Sequence, residues 1–503
     1  MKQKIMNANH IIYILALSAL LYGCGRITRD NMKVPPALYT LAATNKEIAE
    51  MIRYSKKIAD PEKSILAVQL LEQVNEGYAL TLNTPISDRR ILLPEPPADI
   101  PLSVIKMDTI WDRDVMTADY FIRNLELSYY TRKNYPWTVK LSLDDFCRYV
   151  LPYRASTEPL SEWKQFFHDK YNAFIRQIPH ANMDSLRDIV SYVDGEIIGW
   201  KNKFTIQNIV WQSSSLDSIK KQAALTDAED LAVIKLNALR AVGIASSMEV
   251  IPCIRGKGES AFFVFKYPSS EVFQLFNRYQ QIYYARVPKV WRKAIAKDGG
   301  FNPVFTLSQE RGSMDDIPLV LNLPGYIDVT CERTSTSDLI VPSPDSSDAC
   351  GKKMYITTYD LGAWRIVDIG LRKGKEVIFS QMGHDIIYHL AYYENKSIQL
   401  IGSPFLFDGQ GKVIAISQDH ELIPLMKVTE CNQWKNIMPD STYTCFYWHT
   451  QKHKWMKNNI IKAGDNFLEI RQMPYNTLYK IETSNKNESV HFFQFKNNKQ
   501  IWN

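Results

Sequence analysis

Apolar residues recur at helical spacing through the first third of the chain. After Asp60-Pro61-Glu62, where an N-cap precedes proline at the first helical position, Ile65, Val68 and Leu71 with Leu70 and Val74 mark one buried stripe before Asn75 and Gly77. The run Leu93-Pro94-Glu95-Pro96-Pro97 interrupts the pattern, because each proline fixes φ and removes a donor, so it is a connector. Helical spacing resumes near Thr117-Ala118-Asp119 and runs from Ser142 through Ile175 with a break at Pro152. Thr226-Asp227-Ala228-Glu229 has the form of a capping box, with Thr226 as N-cap and Glu229 at the third helical position. The helix it opens is apolar almost all round, through Leu231, Val233, Ile234, Leu236, Ala238, Leu239 and Val242, so it is buried, and Gly243 stops it. Two strands follow, Met248 to Ile251 and Ala261 to Phe265, joined by a turn around Gly256 and Gly258.

Beyond about Pro318 the pattern changes to short runs of β-branched and aromatic residues between Gly, Asp and Asn. The predicted strands include Met354–Tyr359, Trp364–Ile369, Glu376–Phe379 and Ile386–Tyr393, with Glu394-Asn395-Lys396 as a hairpin turn before Ile398–Ile401. Their spacing is that of a β-sandwich. A last β segment spans about Thr444 to Trp502, with Phe446-Tyr447-Trp448 and Val490–Phe495 among its strands. A chain of 503 residues exceeds what one core serves. The pattern therefore divides into a helical region at 37–140, a mixed domain at 141–317, a β-sandwich at 318–425 and a C-terminal β module at 426–503, an α+β class overall.

The first residues carry a separate message. Lys2 and Lys4 form a basic start, and Ile11 to Leu21 is an apolar stretch too short to span a bilayer. Leu21-Tyr22-Gly23-Cys24 resembles the bacterial lipobox, which implies a signal peptide at 1–23, diacylation of Cys24 and a lipidated tether at 24–36 stiffened by Pro35-Pro36. Each buried acyl CH₂ contributes ~0.8 kcal/mol, so two or three chains anchor stably where one does not. The expected location is the cell envelope, held to the outer membrane or another periplasmic face.

Charge excludes one partner class. The formal charge is +6, and less the two leader lysines it is about +4 for the mature chain, spread along the sequence without a basic stripe; nucleic acid is not the partner this predicts. Six cysteines remain after Cys24 in a compartment that permits disulfides. Cys331 with Cys350, and Cys431 with Cys445, have spacings a local bridge closes, while burial as free thiols is the equal alternative.

A buried helix leading into an antiparallel strand pair is the core layout of the papain-related, transglutaminase-like fold. The residues Ala228-Glu229-Asp230-Leu231, Leu239-Arg240-Ala241-Val242-Gly243-Ile244-Ala245 and Gly258-Glu259-Ser260-Ala261 resemble the Cys-Glu-Asp-Leu, Leu-Arg-Ala-Val-Gly-Ile-Pro and Gly-His-Ser-Trp runs of Gram-negative envelope lipoproteins with that domain. The likeness extends outward to Phe146–Arg154, to Glu158-Pro159-Leu160 with Trp163, and to Ile386–Asp408, Phe446–Lys454 and Gln500–Trp502. It implies a transglutaminase-like core at 141–317 whose nucleophile position is Ala228, whose base position is Glu259 and whose orienting position is Leu275. A helix N-terminus lowers a thiol's pKa, which is why a cysteine belongs at that place. Alanine offers nothing to activate. Composition agrees, since no histidine occurs between His180 and His384.

Other chemistry is thin. Asp227, Glu229 and Asp230 are the acidic first turn that a helix dipole favours. Cys253 lies at a strand end and reads as a packing residue. His449-x-x-x-His453 has metal-ligand spacing only on a helix, and it lies in strand and turn. Gly243-Ile244-Ala245-Ser246-Ser247 lacks the second glycine of a nucleophile elbow, and no P-loop or dinucleotide fingerprint occurs. The expectation is a non-catalytic, lipid-anchored protein without cofactor or metal. It would bind a peptide, glycan or envelope protein in a cleft near Ala228, Glu229, Asp230, Glu259, Ser260, Phe262 and Phe263. The alternatives are a hydrolase or amidase with a site moved to Glu259, and a structural scaffold.

Overall fold

The computed structural model describes residues 34–82, 107–155, 158–178, 183–203, 228–254, 258–268, 270–275, 284–294, 321, 325–342, 353–394, 397–418, 421–429, 437, 442–464, 467–483, 492–496 and 499–502. The expected signal peptide at 1–23, Cys24, the 93–97 connector, Thr226 and Asp227 lie outside these residues. Among the described residues no helix is long and apolar enough to cross a membrane.

The N-terminal part is helical, as expected. Helices α1 (Pro36–Leu41), α2 (Lys46–Lys57) and α3 (Pro61–Glu76) are followed by the antiparallel pair β1 (Tyr78–Leu82) and β2 (Met107–Trp111). Then come α4 (Asp112–Val115), α5 (Ala118–Asn134), α6 (Pro136–Lys140), α7 (Leu143–Tyr149), α8 (Trp163–Ile175) and α9 (Met183–Lys203). Side-chain caps start these helices where the sequence placed them: Asp60 accepts from Lys63 N at 2.8 Å, and Thr117 accepts from Tyr120 N at 3.2 Å. The expected division at 140/141 falls between α6 and α7, but both α5 and α7 contribute to one core with Leu70, Phe121, Leu125 and Phe146.

Helix α10 (Ala228–Ala241) crosses a five-stranded antiparallel sheet of order β5-β4-β3-β6-β7. Its strands are β3 (Ser246–Ile254), β4 (Gly258–Phe265), β5 (Gln274–Leu275), β6 (Trp291–Lys293) and β7 (Tyr326–Asp328). Because β7 pairs with β6, the mixed domain runs past the expected end at 317 to at least Asp328. Strand β3 is buried along its whole length, so both of its faces are covered. Met248, Val250 and Trp291 meet Val233 and Leu236 of α10, whereas Ile251, Phe262 and Val264 join the helical core of the N-terminal part.

The next module is two sheets. One has the order β10-β9-β13-β14-β15, from β9 (Tyr355–Asp360), β10 (Ala363–Ile369), β13 (Ile386–Glu394), β14 (Ser397–Phe407) and β15 (Val413–Ala415). The other has the order β11-β12-β8, from β8 (Thr336–Pro342), β11 (Leu371–Lys373) and β12 (Glu376–Gly383). Leu339, Val341 and Phe379 of the second sheet pack on Ile356, Tyr388 and Phe405 of the first.

The C-terminal module joins the pair β16 (Leu422–Thr429) and β19 (Phe467–Pro474) to a sheet of order β18-β17-β20-β21-β22. Its strands are β17 (Thr442–His449), β18 (Lys454–Lys462), β20 (Leu478–Thr483), β21 (Phe492–Lys496) and β22 (Lys499–Trp502). The expected boundary at 425/426 cuts through β16, and since β16 pairs only within this module the division belongs before Leu422.

Candidate functional site

Helix α10 ends as its sequence requires. Gly243 takes φ +78, its N–H bonds Arg240 O at 3.0 Å, and Ile244 N bonds Leu239 O at 2.9 Å, so the last carbonyls are satisfied by a left-handed cap. At its other end, Ala228, Glu229 and Asp230 form the first turn, and Glu259 lies at the start of β4; the side chains of these four are outside the described set. Leu275, at the end of β5, pairs with Val264 of β4. The three positions that the family likeness picks out therefore fall on a helix start and on two neighbouring strands of the sheet which that helix covers.

Ser260 and Phe262 do not share a face of the sheet with Phe263. Register pairs Met248 with Phe263 and Glu249 with Phe262, so successive residues of β4 point to opposite faces. Phe263 packs toward α10, while Phe262 is buried on the far face against Tyr284, with ring centroids 5.5 Å apart. Ser260 pairs with Ile251 and shares that far face. A cleft lined jointly by the start of α10 and by Ser260 and Phe262 is thus excluded by the two-residue period of the strand.

What lies on that far face is a buried ion cluster centred on Glu249. Its Oε1 accepts from Arg292 Nε at 2.9 Å, Arg292 Nη2 at 2.6 Å and Arg333 Nη2 at 2.6 Å. Its Oε2 accepts from Arg333 Nε at 2.8 Å and Tyr284 OH at 2.9 Å. Burial works to raise the Glu249 carboxyl, and the two guanidiniums overcome it, holding the group below its ordinary range. Glu332 completes the charge balance by pairing with Arg292. A second cluster ties the mixed domain to the β-sandwich: Lys289 Nζ lies 2.6 Å from Asp328 Oδ2 and 3.0 Å from Asp368 Oδ2. Neither cluster was foreseen from the sequence, where one Glu inside an otherwise apolar strand was the available signal.

The motifs flanking the central one turn out to hold α10. Arg240 Nη1 donates to Arg154 O at 2.6 Å, and its Nη2 donates to Ser246 O at 3.1 Å; burial pushes this guanidinium down to about 10 against the opposing effect of Glu158. Glu158 Oε1 accepts from Ala155 N at 2.6 Å, and Asn237 of α10 donates to the same oxygen at 3.4 Å. Trp163 Nε1 donates to Tyr153 O at 2.7 Å, and Trp137 Nε1 donates to Val242 O at 2.8 Å. Tyr153 and Arg154 both bond the buried Asp112. These residues fix the helix in place and touch no open surface.

Nucleophile chemistry has little to work with. Cys147, Cys253 and Cys445 are buried free thiols, and burial pushes each of them up, Cys445 to about 12. Cys331 and Cys445, expected as disulfide candidates, are both free; Cys350 and Cys431 lie outside the described residues. Among the described residues no hydrogen bond joins a thiol to an imidazole. One serine meets a histidine, Ser337 Oγ at 2.8 Å from His384 Nε2, but His384 Nδ1 is buried without a partner. Asp408 is taken up by the N–H groups of Gln410 and Lys412, so no carboxylate orients that ring. No group of three His, Cys, Asp or Glu that could hold a metal occurs among the described residues. No protein-family model matches the chain, and no curated protein matches it.

Proposed function

We propose that the chain is an exported envelope protein, anchored by lipid on Cys24, in which a transglutaminase-like core without a nucleophile serves as a structural hub for two β modules. The carrying observation is that the central sheet is covered on both faces. Met248, Val250 and Trp291 lie under α10 and against Tyr355, Ile366 and Tyr393 of the β-sandwich, and Phe262, Val264 and Ile251 lie against the N-terminal helices. A sheet enclosed in this way is suited to holding domains in register, and alanine at position 228 gives the helix start a methyl group where chemistry would need a thiolate. The buried ion pairs around Lys289 support the same reading, because they bridge the hub and the sandwich. A peptide, glycan or envelope protein is then bound by the outer modules.

Two experiments bear on this. Fractionation of cells producing the wild type and Cys24→Ala should find the first with membranes and the second in the soluble envelope fraction; equal membrane retention removes the anchor. Incubation of the purified chain with peptide, amine and glycan substrates should give no turnover. Turnover lost in Glu259→Gln would overturn the hub reading in favour of a relocated hydrolase or amidase site.

A further inference from the structure

The junction of α5, α8 and α10 encloses an amine that no carboxylate bonds among the described residues. Lys164, the second residue of α8, is 3% exposed, and its neighbours Trp163, Phe167 and Tyr171 pack with Ile234, Ala238 and Leu239 of α10. Its Nζ donates to Ser128 Oγ of α5 at 2.7 Å and to Leu151 O, just after α7, at 2.9 Å. Ser128 spends its own hydrogen on Asn124 O at 2.7 Å, so toward the lysine it is an acceptor. An ammonium carries three N–H bonds and an amine two, and two acceptors are what this site offers.

The ionisable groups on the surrounding elements are engaged elsewhere. Asp112 of α4 bonds Tyr153 and Arg154, and Glu158 accepts from Ala155 N and Asn237. Glu126 of α5 pairs with Lys63, Arg148 of α7 with Asp144, and Glu162 with Arg123. His168, one turn along α8, faces Tyr130 and Tyr135. The charge that acts on Lys164 has its own sign, since it is the buried Arg240 of α10. The Trp163 ring, 5.2 Å from Nζ, attracts a cation, but far more weakly than the hydration that a buried ammonium gives up. Burial and then Arg240 hold this amine well below the usual lysine range.

We propose that Lys164 is an uncharged amine in the folded chain and serves as an acid-operated latch: when it takes up a proton, α8 parts from α5 and from the turn at 150–155, and the grip on α10 loosens. The position of the amine carries this. That turn is the one that holds the helix, because Arg154 O accepts from Arg240 Nη1 and Tyr153 O accepts from Trp163 Nε1. A charge on Nζ adds a third N–H with no acceptor and a repulsion toward Arg240, in the middle of those bonds. Opening gives the amine water and, below its ordinary value of 10.5, a proton as well. The open fraction therefore rises about tenfold for each pH unit of acidification, until the enclosed amine is itself protonated.

The test is hydrogen–deuterium exchange of the full chain between about pH 6 and 8, corrected for the chemistry of exchange itself and read on peptides from α5, α8 and α10. In the wild type the opening constant of these helices should rise about tenfold per pH unit as pH falls. Lys164→Met keeps the stem, Lys164→Gln keeps two N–H donors, and both should lose this dependence. Peptides from β20 of the C-terminal module should show no difference between wild type and variants. A second measurement needs no variant. Unfolding in urea at about pH 7.5, where imidazoles of ordinary pKa are already neutral, should take up close to one proton from an indicator dye. Lys164→Gln should take up one fewer. No proton uptake by the wild type, or the same pH dependence in the wild type and both variants, would overturn the latch, since a purely structural lysine lowers stability equally at every pH.

Discussion

Replacing Glu249 by Gln tests whether the buried ion cluster holds the hub together. The substitution keeps the shape of the side chain and removes its charge. Five hydrogen bonds from Arg292, Arg333 and Tyr284 converge on that carboxylate. After the change Arg292 retains Glu332, but Arg333 is left with the Phe273 carbonyl and no carboxylate, and its side chain is only 5% exposed. Stranding a buried charge costs ~3–5 kcal/mol. The assay is urea unfolding followed by fluorescence and far-UV circular dichroism, for Glu249→Gln, Arg333→Gln and the double variant. The double variant should recover ~1–3 kcal/mol relative to additivity, because removing the guanidinium as well relieves the stranded charge. Acid should act on the same group. The folded carboxyl lies below its ordinary value of 4.5, so the wild type keeps this stabilisation above that value and loses it as pH falls through the folded value, and Glu249→Gln lacks the dependence. A single-variant loss under ~1 kcal/mol, the range of exposed pairs, with strict additivity in the cycle, would refute the reasoning.

Three further outcomes are expected. His389 is neutral when folded, at about 3 against an ordinary 6.5, so the unfolded chain binds the extra proton; stability should be intact above about 6.5 and fall by up to ~1.4 kcal/mol per pH unit toward about 3, and urea midpoints of His389→Leu across pH 7 to 4 should be flatter than those of wild type. Gly243→Ala places a Cβ at 2.3 Å from Thr138 Cγ2 on a residue with φ +78, so it should cost more than the ~1–2 kcal/mol of left-handed strain alone, read as a lowered thermal midpoint. Asp60→Ala removes the acceptor for Lys63 N and should cost ~1 kcal/mol in urea unfolding, with helix content otherwise unchanged.

Local chemistry was readable from residues in order. The caps at Asp60 and Thr117, the glycine stop at Gly243 and the strands of the β modules lie where spacing put them, because each depends on neighbours within a few positions. Pairing was not readable in the same way. Strand β16 joins β19 through pairs 38 to 52 residues apart and β7 extends the central sheet, so both of these expected boundaries moved. That residue 228 is an alanine with no nucleophilic group also needs no structure, nor does the absence of histidine between His180 and His384.

What the tertiary structure alone decided is which side chains face each other. Whether Phe262 lines a cleft with the start of α10 depends on strand register, where a shift of one residue exchanges the faces, and the register sends it to the opposite side. Glu249 found Arg292 and Arg333, and His389 found His453, through separations that no period in the sequence encodes. Buried charges and imidazoles take their partners from distant strands, so the sequence declared the elements and their caps while folding determined every polar contact between them.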